Sequence, residues 1–258
     1  MKKRKKNLGN RVWFIDEVRG TAIILMVLYH LCFDLVYIFN VRIDIFNSAP
    51  VNFMRDIFAG LFIFISGISC RFSSNNFKRG LICLLCGIGV TLFTFFFMKN
   101  EVIYFGILHM LGISVILYSW FEKILNKIKF PIFGIVISGL LFYFTKEISK
   151  YKIGIWSFSV DENLKKWLFP FGITSVDFHS WDYFPLIPLI FVFFAGCYFG
   201  VYVTENRLPE FFYKLHLKPI AFVGRHTLWV YLLHQPILYG VLYGVFYYVC
   251  PFMANVRL

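Results

Sequence analysis

Long apolar runs separated by short charged segments dominate this chain. The runs cover residues 17–39, 52–70, 80–98, 102–121, 130–146, 184–204 and 220–249. Each approaches or exceeds the ~20 residues a helix needs to cross about 30 Å of hydrocarbon, the fifth being the shortest. The pattern predicts an all-α, polytopic transmembrane helix bundle of seven spans, forming one domain over residues 1–258. The last run is long and contains Pro236, so it is predicted to kink there or to begin in the interface. No internal repeat and no low-complexity tract is visible.

Composition agrees with the pattern. Of the 258 residues, 59% are hydrophobic and 16% charged, and Phe alone supplies 34. Mean hydropathy is +0.69. A soluble domain has about 45–50% apolar and about 25% charged residues, so lipid is the expected solvent. The first apolar run carries His30 and Asp34 and no small-residue cleavage site follows it, so it reads as a retained helix rather than a signal peptide.

The net charge of +12 is spread over short connecting segments rather than a basic fold, which excludes a nucleic-acid partner. Its distribution predicts topology instead. Lys2, Lys3, Arg4, Lys5, Lys6 and Arg11 precede the first span. Arg71, Lys78 and Arg79 follow the second, Lys123, Lys127 and Lys129 the fourth, and Arg207, Lys214 and Lys218 the sixth. With alternating spans all four groups share one side. The short loops opposite hold Arg42 and Lys99, and the tail holds Arg257. The N-terminus is therefore expected in the cytoplasm, the C-terminus outside, and the protein in the cell membrane. Residues 147–183 carry Trp156, Trp167 and Trp181 and are expected across the outer mouth, in part as an amphipathic helix.

Ionisable groups inside a bilayer are costly, about 2.5–3.5 kcal/mol each on insertion scales, and so mark candidate function. In the first span Asp16 and Arg19, three apart, share a face. So do His30 and Asp34, four apart. A carboxylate at that spacing can orient an imidazole and raise the basicity of its other nitrogen. The same pair also suits a static packing contact or a transporter's proton relay. Arg55 and Asp56 open the second span as interfacial groups. His109 lies in FGILHMLG, Asp182 and Tyr183 open the sixth span, and the seventh reads GRHTLWVYLLHQPIL, with Arg225, His226, His234 and Gln235. There are six cysteines. Cys83 and Cys86 have C-x-x-C spacing without a second pair, so the cysteines read as small packing residues. No metal motif is present.

The ordered segments RVWFIDEVRGTAIILMVLYHLCFD, FIFISGIS, KRG, FGILHMLG, DYFPLIPLIFVFFAGCYFG and FVGRHTLWVYLLHQPIL span nearly the whole chain. Together they resemble bacterial members of the heparan-α-glucosaminide N-acetyltransferase catalytic-domain family, a transmembrane acyltransferase group. Arg19 and His30, with ten residues between them, also resemble the R-x10-H motif of the related acyltransferase-3 family. The resemblance implies transfer of an acyl group, usually acetyl, from acetyl-coenzyme A at the cytoplasmic face to a hydroxyl or amine of a sugar reached from the other side. It implies His30 and Arg19 as catalytic residues, and the four-residue spacing adds Asp34 as the group that orients His30. Arg19, Arg79, Arg225 and His226 would hold the coenzyme A thioester, and His109, Asp182, His234 and Gln235 the acceptor, a glycan or glycolipid. No metal is implied, and a homo-oligomer is left open. The competing expectations are a proton-coupled transporter using the same His and Asp groups, and a non-catalytic membrane scaffold.

Overall fold

The computed structural model describes residues 11–98, 101–125 and 130–249. Lys2, Lys3, Arg4, Lys5, Lys6, Lys99, Lys127, Lys129, Cys250 and Arg257 lie outside the described residues. The chain is all-α and polytopic. Seven helical segments among the described residues are long and apolar enough to cross a membrane. The helices are α1 (Trp13–Phe33), α2 (Ala49–Cys70), α3 (Asn76–Phe97), α4 (Ile107–Leu125), α5 (Pro131–Thr145), α6 (Glu162–Leu168), α7 (Leu186–Thr204), α8 (Lys218–Arg225) and α9 (Thr227–Gly244). A hairpin of β1 (Lys152–Ile153) and β2 (Trp156–Ser157) lies between α5 and α6.

Two helix ends depart from α geometry. Asp34–Ile38 continues α1 as a π-helix, with Phe39 N–H donating to the Asp34 carbonyl at 2.9 Å. Val245–Val249 continues α9 in the same way. Such wide turns recur at functional sites because they re-aim side chains within a helix.

Two compact units divide the chain: residues 1–62 with 209–258, and Ile63–Leu208. The first unit is built on α1, α8 and α9. The α1–α8 crossing depends on missing side chains. A Cβ on Gly224 would run into the Asp16 carbonyl, and one on Gly20 into the carbonyl of Ile220. Small residues let membrane helices approach backbone to backbone. Glu17, buried on α1, holds the start of α8. Its Oε1 accepts from the backbone N–H groups of His216 (2.6 Å) and Leu217 (2.7 Å), donors that no helical carbonyl reaches. Pro219 follows at the position where its missing N–H costs nothing.

The run predicted as one kinked span over 220–249 is thus two helices. The break falls at His226, while α9 runs through Pro236. Proline removes one helical bond, to the Leu232 carbonyl, and a membrane helix tolerates that loss.

In the second unit α3 packs on α4, and α5 on α7. Asn75 caps α3, its side chain accepting from Lys78 N–H at 2.9 Å. Within the 147–183 segment Glu162–Leu168 is α-helical. The remainder is the hairpin, turns and two 3₁₀ stretches. Lys165 stacks 4.4 Å over the Tyr151 ring and bonds Glu162 at 2.5 Å, and that bond raises its pKa above the ordinary lysine value. Tyr183 donates its hydroxyl to the Phe169 carbonyl, and burial pushes its phenol pKa up.

Candidate functional site

The first unit brings together four of the intramembrane polar residues expected from sequence. His30 and Asp34 on α1 meet His234 and Gln235 on α9. The His30 and His234 rings lie with centroids 5.0 Å apart, tilted by 49°. Asp34 is wholly buried, and its Oδ1 accepts from Gln235 Nε2 at 2.7 Å.

This pairing corrects one expectation. Asp34 shares a helix face with His30, yet no hydrogen bond joins the two. A fully buried carboxylate needs a donor, and the amide from α9 supplies one. The His30 ring instead touches the rings of Tyr29, Phe33 and His234. The imidazole with a fixed orientation is His234. Its Nδ1 lies 2.6 Å from the Tyr231 carbonyl. A carbonyl only accepts, so Nδ1 carries the proton and Nε2 of the neutral ring is the basic nitrogen.

Beside His234 lies an open groove of about 370 Å³ along α9, with Val27 of α1 at its side. Val27, Trp229, Leu233, Ile237 and Leu238 form apolar wall, and His234 is the polar residue in it.

At the start of α1 a second polar group forms. Asp16 bonds Arg11 at 2.7 Å and lies 3.6 Å from Arg19. Arg19 also reaches the Gly224 carbonyl at 3.4 Å, where a cation suits the end of α8. Arg19 therefore ties α1 to α8. Arg225 and His226 are exposed, and the Arg225 guanidinium lies over the rings of Trp13 (6.0 Å) and Phe222 (5.6 Å). Glu17 was missed in the sequence. It is one residue off the face that Asp16 shares with Arg19, and its partners lie about 200 positions away.

Arg79, His109 and Asp182 belong to the second unit. Arg79 Nη2 donates to the Ser66 carbonyl at 3.1 Å and lies 3.5 Å from Cys70 Sγ, bracing the end of α2. His109 Nδ1 accepts from Gly106 N–H at 3.2 Å, which caps the start of α4 and leaves the proton on Nε2, 3.4 Å from Thr91 Oγ1. Thr91 in turn donates to the Ile103 carbonyl. The ring packs closely on Gly87, where a Cβ would stand 3.0 Å from it. Both His109 nitrogens thus lie within reach of partners in the chain, Gly106 and Thr91. Asp182 lies beside Gly106, where a Cβ would come 3.0 Å from its Oδ2. Among the described residues, no three His, Cys, Asp or Glu side chains gather in a metal-holding group.

The family model described as heparan-alpha-glucosaminide N-acetyltransferase, catalytic, matches residues 11–236. That stretch begins at the Arg11–Asp16 pair and ends just past His234 and Gln235. Comparison with curated proteins and with solved structures gives no match.

Proposed function

Because the chain belongs to the heparan-alpha-glucosaminide N-acetyltransferase catalytic family of membrane acyltransferases, we propose that it moves an acetyl group from acetyl-coenzyme A to a sugar hydroxyl or amine, with the His30–His234 pair handling the proton. The observation that carries this reading is the meeting of the two imidazoles, 5.0 Å apart, inside membrane helices.

The chemistry asks for few parts. A thioester is reactive, so positioning and a base account for much of the acceleration. The acceptor oxygen or nitrogen bonds to the acyl carbon while the carbon–sulfur bond breaks. The imidazole pair takes the acceptor's proton and returns it to the departing thiolate. His30 receives the acceptor's proton, and His234, oriented through Nδ1 by the Tyr231 carbonyl, presents Nε2 to stabilise the charged state. The Asp34–Gln235 bond fixes α1 against α9 and so holds the two rings in register.

Donor binding falls to the cations at the start of the first unit. Arg225 and His226 are exposed and suited to the coenzyme's phosphates through charge-assisted bonds, and Trp13 and Phe222 offer faces for its adenine. Arg19 acts by holding α8, and with it Arg225, against α1.

The test uses purified protein in proteoliposomes supplied with labelled acetyl-coenzyme A and amino sugars, reading transfer and free thiol. Wild type should release thiol and label the acceptor, and His30→Ala and His234→Ala should do neither. Absence of acetyl-coenzyme A binding and cleavage in wild type would overturn the proposal.

A further inference from the structure

Arg55 and Asp56 stand nearly two turns into α2, in a segment long and apolar enough to cross the membrane. A charge within a span is costly unless a partner uses it, and the transfer chemistry gives this pair no task. The contacts of Arg55 supply one. Its Nε and Nη2 donate to Asp56 Oδ1 at 2.9 and 2.8 Å, which fixes one edge of the guanidinium fork. Nη1 reaches across to α1 and donates to the Tyr29 hydroxyl oxygen at 3.4 Å. The guanidinium carbon also stands 5.8 Å from the centre of the Tyr29 ring. The cation thus holds this side chain through its oxygen and its π-face.

Tyr29 precedes His30, and its ring meets the imidazole edge-on, with centroids 5.9 Å apart and planes at 80°. It belongs to a block of rings in the first unit. Phe46, buried in the turn before α2, packs on Tyr29 at 5.1 Å and on Phe33 at 6.4 Å. Phe33 lies 6.4 Å from His30. Tyr37 packs on Phe33 at 4.8 Å and donates its hydroxyl to Asn47 Oδ1 at 2.8 Å. Two of the three rings around His30 therefore belong to a block tied at one end by Arg55 and at the other by Asn47. The third is His234, which the Tyr231 carbonyl orients. His30 takes its direction from these rings, and an edge-on contact sets a direction only when the ring that makes it cannot swing.

Resting on the acetyl-transfer reading above, we propose that Tyr29 and Arg55 are positioning residues that clamp His30. Asp56 orients Arg55, Arg55 tethers the Tyr29 side chain, and the Tyr29 ring keeps the imidazole facing His234. The charged pair in α2 thereby serves the base without touching it. Arg55 then acts on turnover only through Tyr29.

Kinetics of acetyl transfer in proteoliposomes separate this role from a general loss of structure. A misplaced base slows chemistry, so Tyr29→Leu should lower kcat about tenfold and Arg55→Met about fivefold, with KM for acetyl-coenzyme A within about twofold of wild type. Adding Arg55→Met to Tyr29→Leu should cost nothing more, since effects that run through one contact do not add. Where Tyr29→Leu does not fold, Tyr29→Phe takes its place, and Arg55→Met should cost less beside it than in wild type. A second readout needs no turnover: the rate at which diethyl pyrocarbonate modifies His30, followed by mass spectrometry of its peptide. A ring freed from its clamp should react about threefold faster or more in both single variants, with exposed His226 as the unchanged reference. An Arg55→Met variant with wild-type kcat, losses that multiply in the double variant, or His30 reactivity equal to wild type overturns the clamp. Faster modification of His30 in variants of a protein that transfers no acetyl would keep the clamp and sink the acetyl-transfer reading.

Discussion

An exposed guanidinium lying over two aromatic rings is poised to meet an anion. Arg225→Ala should therefore raise the KM for acetyl-coenzyme A about tenfold or more, since a charge-assisted bond contributes about 1.5–3 kcal/mol, with kcat little changed. Steady-state kinetics at two salt concentrations check it, and an unchanged KM removes Arg225 from donor binding. Glu17 has a structural task. Glu17→Ala strands the N–H groups of His216 and Leu217 and should cost about 1–3 kcal/mol, read as a lower thermal midpoint in detergent. An unchanged midpoint would show that α8 needs no such cap. His30, Asp34, His234 and Gln235 were all visible in sequence because ionisable or amide groups inside apolar runs stand out. Their partners were not. Spacing along one helix reports a shared face, but the amide that bonds Asp34 comes from 201 positions away. His109 stands out in sequence for the same reason, and its contacts with Gly106 and Thr91 come from the packing of α3 on α4 and the turn before α4.

The crossing of α1 and α8 rests on two glycines, and here the expected effects separate cleanly. Gly224→Val drives a side chain into the Asp16 carbonyl and should destabilise the protein by about 1–3 kcal/mol or more. Gly60→Leu meets nothing within 4 Å and should leave stability unchanged. Thermal denaturation of the two purified variants compares them, and equal midpoints would contradict the crossing. The long membrane helices were legible because their apolar length is dictated by the bilayer. The α8–α9 boundary falls in the polar stretch Gly224–Thr227, which is too short to part the apolar residues on either side into two separate runs. Gly224 and Arg225, just before the break, are residues that suit a helix end. The π-turn at Asp34 left no trace in sequence, since it costs no change in composition.

At the scale of the whole chain, lipid is the environment that makes 59% hydrophobic content sensible, and the net charge of +12 sits in the connections between spans. The positive-inside bias predicts a cytoplasmic N-terminus, with the loops after α2, α4 and α7 on the same side. Single cysteines placed in these loops of a cysteine-free variant should resist an impermeant thiol reagent in intact cells, and a cysteine in the β1–β2 hairpin should react. The reverse pattern would invert the donor and acceptor sides of the proposal. Family membership favours catalysis over the transporter and scaffold readings, but it does not select the residues that act. The most direct measurement is transfer of labelled acetyl from acetyl-coenzyme A to an amino sugar by wild type, His30→Ala and His234→Ala in proteoliposomes. Loss of general acid–base help predicts a fall of about a hundredfold or more for each variant, with acetyl-coenzyme A still bound. Undiminished transfer by either variant would contradict the assignment of the imidazole pair.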